Sequence, residues 1–127
     1  MTEKLSQDDL KALWVNAAEH GLTLNDLSAI AMRYDIGADD LLNELSSRLA
    51  VDFLSGSLTY DFCDQVINGL FDAITDLGIQ NEFPEPAFAL YKAFDQGEWV
   101  RQDDPPGIDP GEKYTRPQVV AIMARFA

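Results

Sequence analysis

The chain has 127 residues, of which 46% are apolar, and its formal net charge is −13. The apolar content excludes an intrinsically disordered chain, and the excess of acids argues against direct binding to nucleic acid or to an anionic membrane. No apolar run reaches the roughly 18 residues that a transmembrane helix needs. The length predicts a single domain, residues 1–127, that folds without a disulfide or a metal.

The cellular compartment is predicted from the cysteine content and from the first residues. A single cysteine cannot form an intrachain disulfide, which is typical of a reducing compartment. The opening stretch MTEKLSQDDL lacks the apolar core of a signal peptide. We therefore expect a cytoplasmic protein.

Two helix-start signals follow each other near the beginning of the chain. Ser6 is followed by Asp9, and Thr23 by Asp26, at the spacing of a capping box. Leucines before and after each pair are placed to form a hydrophobic staple. Gly21 is expected to end the first helix.

The rest of the chain also carries helical signals. A third helix is expected near Asp39, another after residues 84–86, and a last one behind a capping box at Thr115. Residues 98–113, EWVRQDDPPGIDPGEK, have no apolar period and predict a loop that a buried Trp99 pins to the core. No run alternates with period two. The prediction is an all-α bundle of five or six helices with one long Pro/Gly-rich loop before the last helix.

The most regular pattern lies between Ser57 and Leu77. Its apolar residues recur at helical spacing and predict one continuous central helix that Gly78 ends. The opposite side of this helix is polar within an arc of roughly 120°. That side carries Asp61, Asp64, Asn68, Asp72 and Asp76.

Side chains that catalysis needs are scarce. The chain has one His and one Cys. His20 falls at a helix end, where a cation complements the dipole, and Cys63 falls on an apolar helix face, where a thiol is inert. Hydrolase, nucleotide-binding and zinc-protease motifs are missing. We expect a protein that is not an enzyme, with no catalytic residue, no metal ligand and no cofactor.

The acids of the loop leave a cation site open as an alternative. Asp103, Asp104, Asp109 and Glu112 offer the oxygen ligands that calcium prefers, although their spacing departs from the EF-hand pattern throughout. A solvated polar loop explains the same residues.

The charge distribution is the most informative feature. Between Arg48 and Lys92 the chain has seven acids and no basic residue. Exposed helices usually pair an acid with a base one turn away, so the unpaired stripe predicts a surface for a basic partner, and a merely solvated stripe is the alternative. The predicted partner-binding residues are Tyr60, Asp61, Asp64, Asn68, Asp72, Asp76 and Glu82.

In size, predicted helicity and acidity, the chain resembles the small immunity proteins that neutralise bacterial nuclease toxins. The resemblance involves no shared motif, and it implies a bacterial inhibitor with a basic protein partner. A structural homodimer is a second hypothesis, with Trp14, Phe71 and Trp99 as candidates for its apolar face. A carboxylate- or metal-dependent protein built on Asp52 or the loop acids is a third. Monomer and homodimer both fit the sequence.

Overall fold

A computed structural model describes residues 5–126, which contain seven α-helices, one π-helical turn and no strand. The all-α prediction is confirmed, whereas the predicted count of five or six helices is wrong. The elements are α1 Gln7–His20, α2 Leu24–Arg33, α3 Ala38–Leu54, α4 Tyr60–Gly69, α5 Phe71–Gln80, α6 Ala87–Gln96, the π-helical turn Gly111–Thr115 and α7 Arg116–Phe126.

The first two helices begin where their capping signals predict. The Asp9 amide donates to Ser6 Oγ at 3.1 Å ahead of α1. Ahead of α2 both halves of the capping box form, because Thr23 and Asp26 each accept from the other's amide. The Asp9 carboxylate does not complete the first box. It accepts instead from the hydroxyl of Tyr34 at 2.7 Å, and so ties α1 to the end of α2.

The predicted continuous helix between Ser57 and Leu77 is wrong, because it divides at Leu70 into α4 and α5. The end of α1 packs against α4 directly before this division. A Cβ on Gly69 would overlap the carbonyl oxygen of Ala17, so only glycine allows the two helices to approach this closely. The Gly69 carbonyl then accepts from the amide of Leu22 at 2.9 Å.

This division changes the helix-dipole field at the acids in the second half of the predicted helix. Asp72 lies in the first turn of α5, where the positive end of the helix dipole favours a carboxylate. In a single long helix it would have been at the unfavourable end. Gly78 does not end α5, which continues to Gln80.

The core is one cluster of buried side chains, and its largest fully buried members are Trp14, Phe53 and Phe94. The Trp14 indole nitrogen donates to the carbonyl of Leu45 at 3.1 Å, so α1 is bonded to the middle of α3. Trp14 is therefore a core residue, and its assignment to an exposed dimer face is wrong. Phe71 is half-buried, with its ring 4.7 Å from that of Tyr91.

The chain returns to helix earlier than predicted after the Pro/Gly-rich segment. The π-helical turn runs directly into α7, so the predicted capping box at Thr115 is wrong. The Thr115 hydroxyl is buried and donates to the carbonyl of Ala93 at 2.7 Å. It thereby attaches the turn to α6.

Trp99 does not anchor the segment between α6 and the π-helical turn, and the prediction that it is buried is wrong. Its side chain is 47% exposed. The Arg101 guanidinium lies 4.1 Å from the Trp99 ring and 3.6 Å from that of Tyr114, and it donates to the carbonyl of Gln96 at 2.6 Å. Arg101 therefore supplies the attachment that was predicted for Trp99.

None of the helices within residues 5–126 combines the length and the apolar character that crossing a membrane requires.

Candidate functional site

A cleft opens where one face of α4 meets the residues that follow α6. Its volume is about 530 Å³. The lining includes four carboxylates and no Lys or Arg. We call this site the acidic cleft, and it is lined by Tyr60, Asp61, Asp64, Asn68, Gly97, Glu98, Asp109 and Pro110.

The side-chain amide of Asn68 lies between two of the cleft carboxylates. Nδ2 of Asn68 donates to Glu98 Oε2 at 3.0 Å and lies 3.4 Å from Asp64 Oδ2, one turn earlier on α4. The other carboxylate oxygen of Asp64, Oδ1, is buried and has no hydrogen-bond partner. A buried charged oxygen without a partner is unfavourable. The arrangement therefore favours a proton on Asp64.

The pKa of Asp64 is raised to about 7, chiefly by burial and then by the side chain of Glu98. The carboxyl of Asp95, on the last turn of α6, has its pKa raised by burial and then by Glu98. Both effects disfavour the ionised form, since burial removes water and a neighbouring carboxylate adds repulsion. Ionising these two acids therefore costs more free energy than ionising exposed acids.

Tyr60 contributes a wall of the cleft, but its hydroxyl is engaged within the protein. The hydroxyl donates to the carbonyl of Phe94, and the two rings stack with centroids 5.8 Å apart. Burial raises the pKa of the phenol. A Cβ on Gly111 would lie 2.9 Å from the Tyr60 ring, so the glycine lets the π-helical turn pack against it. Tyr60 therefore connects α4, α6 and the turn.

The structure divides the predicted partner-binding residues. Tyr60, Asp61, Asp64 and Asn68 lie together in the acidic cleft. The other three lie outside it: Asp72 and Asp76 are exposed on α5, and Glu82 lines a separate groove beyond the end of that helix.

The sequence did not predict that Glu98 and Asp109 complete the cleft, although Asp109 was singled out as a possible cation ligand. Glu98 and Asp109 reach it from the segment after α6. Neither carries a local signal, because their position depends on how residues 97–110 pack against α4. The only sequence cue was the shortage of basic residues near α4.

The cleft carboxylates have no cationic partner in the part of the chain described here. Three ion pairs among residues 5–126 join Arg48 to Glu44, Lys113 to Asp104 and Arg116 to Glu112, and His20 lies 3.9 Å from Glu19, which it pairs with only when protonated. Over the same residues, no group of three or more His, Cys, Asp or Glu side chains is arranged to hold a metal ion.

Asp104 and Asp109 of the Pro/Gly-rich segment are engaged in local structure. The Asp104 side chain is 2% exposed, and it accepts from Lys113, from the Tyr114 hydroxyl at 2.6 Å and from the Arg101 amide at 2.9 Å. These donors lower its pKa to about 2, Lys113 having the largest effect. Asp109 Oδ1 accepts from the Gly111 amide at 3.0 Å and so caps the π-helical turn.

Cys63 is buried in α4, as its place on the apolar face predicted. Burial raises its pKa to about 12. A thiol in this state is not a nucleophile at neutral pH.

Comparison with known proteins found no matching family model, no matching curated protein and no matching solved structure.

Proposed function

We propose that this protein is an acidic interaction module that binds a basic protein partner through the acidic cleft. The observation that carries the proposal is the cleft lining, in which four carboxylates face one opening and no basic side chain joins them. A partner's Lys or Arg side chains would supply the missing charges. Complementary charge speeds association and selects the partner.

The energetics of Asp64 support this reading. Its buried Oδ1 has no partner, and Glu98 adds a second negative charge nearby. Such an arrangement lowers the stability of the isolated protein, and local costs of this kind concentrate at functional sites. A bound cation would lower the pKa of Asp64 and relieve the cost.

The resemblance in size and charge to immunity proteins supports an inhibitor role, with a basic toxin such as a nuclease as the partner class. Under this proposal the protein is cytoplasmic and is not an enzyme. Asp72 and Asp76 would contribute to the long-range field that steers the partner rather than to the contact itself.

The experiment is capture from an extract of the native cell on the immobilised protein, with retained proteins identified by mass spectrometry. The matched control carries Asp61→Asn and Glu98→Gln, which remove two charges while keeping side-chain shape. We expect the unmodified protein to retain a basic protein at low salt and to lose it at high salt. The proposal fails if the control retains the same basic proteins equally well.

A further inference from the structure

A second groove lies at the opposite end of the α4–α5 pair, between the start of α3 and the end of α5. Its volume is about 580 Å³. We call it the Phe83 groove, and it is lined by Asp39, Asn43, Leu77, Gln80, Asn81, Glu82, Phe83, Pro84 and Glu85.

Phe83 is exposed yet held in place. Its side chain is 41% exposed, while its ring stacks on that of Phe88 with centroids 4.2 Å apart. The Phe83 ring also packs against Gly78, where a Cβ atom would overlap it. Ile79, one residue further along α5, is 82% exposed. An aromatic ring that is held in place yet partly exposed is typical of an interface anchor.

The polar side chains that line the groove are either acidic or uncharged. Asn43 Oδ1 and Glu85 Oε1 are engaged, since they accept from the amides of Ala87 and Ala89 at the start of α6. Asp39 and Glu82 differ, because neither side chain forms a hydrogen bond or an ion pair with another described residue.

Two helix ends of opposite polarity meet at the groove: the carbonyl end of α5 is negative, whereas the first turn of α3, which carries Asp39, is positive. The last carbonyl groups of a helix point away from it and form the negative end of its dipole. Gln80 is the last residue of α5, and it lines the groove together with Asn81. No Lys or Arg lines the groove.

We propose that the Phe83 groove docks a basic segment of a protein partner. An Arg or Lys side chain would bind between Asp39 and Glu82, and an apolar neighbour would pack on Phe83 and Leu77. A second copy of this chain is a poor occupant, because the net charge of −13 opposes self-association at an acidic surface. The groove shares no lining residue with the acidic cleft, so this inference extends beyond the proposed function.

The test is an NMR titration of the ¹⁵N-labelled full chain with a synthetic peptide of sequence GRLRLRG. One control peptide carries Glu in place of each Arg, and another carries Gly in place of each Leu. We expect the largest amide shift changes at residues 39–43 and 77–85, an affinity that weakens with salt, and weaker binding by both controls.

Variants separate the groove from the acidic cleft. We expect Phe83→Ala and Glu82→Lys each to weaken the peptide at least about fivefold, whereas Asp61→Asn in the cleft leaves its binding unchanged. If Phe83→Ala fails to fold, Glu82→Lys tests the proposal alone, because Glu82 is exposed and has no partner among residues 5–126.

Three outcomes would overturn the proposal. One is the absence of shifts at millimolar peptide, and another is shifts centred on residues 60–68 and 97–98. The third is self-association, seen by sedimentation of the chain alone, that shifts the groove amides without peptide.

Discussion

The side-chain amide of Asn68 donates to the carboxylate of Glu98 at 3.0 Å, across 30 residues of sequence. This bond holds the residues after α6 against α4. It also brings the Glu98 charge near Asp64, whose pKa it helps to raise. The acidic cleft therefore has a pH response that the isolated helices would not have.

The first prediction concerns Asp64. Its pKa is about 7 in the folded state, against 3.8 ordinarily, so the unfolded chain releases this proton first as pH rises. The contribution of Asp64 to folding stability therefore falls between about pH 4 and pH 7. Asp64→Asn should be the more stable protein at pH 8, by about 1–2 kcal/mol after allowance for solvent screening of a partly exposed group, and no gain should appear near pH 4.

Urea unfolding at both pH values measures this, and a carboxyl ¹³C titration follows Asp64 directly. Asp61→Asn is the matched control, since Asp61 is exposed on the same helix. An Asp64 carboxyl that titrates near pH 4 would contradict the account of the cleft.

The second prediction concerns the division between α4 and α5. Gly69→Ala would ordinarily strengthen a helix by up to about 1 kcal/mol. Here the methyl group overlaps the Ala17 carbonyl, so we expect a loss of about 1–3 kcal/mol in the free energy of unfolding. Gln65→Ala, an exposed change on α4, should alter stability by less than about 0.5 kcal/mol. A stabilising Gly69→Ala would show that α1 and α4 do not approach as described.

The third prediction concerns the segment between α6 and the π-helical turn. Asp104→Asn removes the charge that Lys113, Tyr114 and the Arg101 amide share, so we expect faster amide exchange over residues 101–110. Because the folded pKa of Asp104 is lowered to about 2, its stabilising effect is present above pH 4 and is lost as pH falls towards 2. The neighbouring change Asp103→Asn should leave exchange unaltered, since Asp103 is exposed. Equal exchange in the two variants would refute the role of Asp104.

The fourth prediction separates the two acids of α5. Asp72 lies in the first turn, so Asp72→Asn should lose about 0.3–1 kcal/mol of favourable dipole interaction. Asp76→Lys should instead gain about 0.2–0.5 kcal/mol, because it replaces a repulsion one turn away by an attraction to Asp72. Thermal unfolding of the two single variants measures both changes. Effects of the same sign would contradict the division of the predicted long helix.

Local signals predicted the starts of the first two helices, because a cap such as Thr23 with Asp26 needs only four residues. The end of α4 was not predictable in this way. The chain there contacts a carbonyl on α1, more than forty residues earlier, and the 57–77 pattern predicts helix on both sides of Leu70.

The same distinction between local signals and tertiary packing applies to the residues of the acidic cleft. The acids of α4 were predicted from the absence of nearby bases, which is a property of the sequence. Glu98 and Asp109 were not, since their place in the cleft depends on the packing of residues 97–110. Arg101 took the anchoring role predicted for Trp99, because its guanidinium both stacks and donates hydrogen bonds.

The most direct test of the central claim is calorimetric titration of the captured basic partner against the unmodified protein and against the Asp61→Asn, Glu98→Gln variant. We expect the variant to bind at least about tenfold more weakly, equivalent to about 1.4 kcal/mol, with an affinity that depends less steeply on salt. An unchanged dissociation constant and an unchanged salt dependence in a folded variant would contradict binding at the acidic cleft.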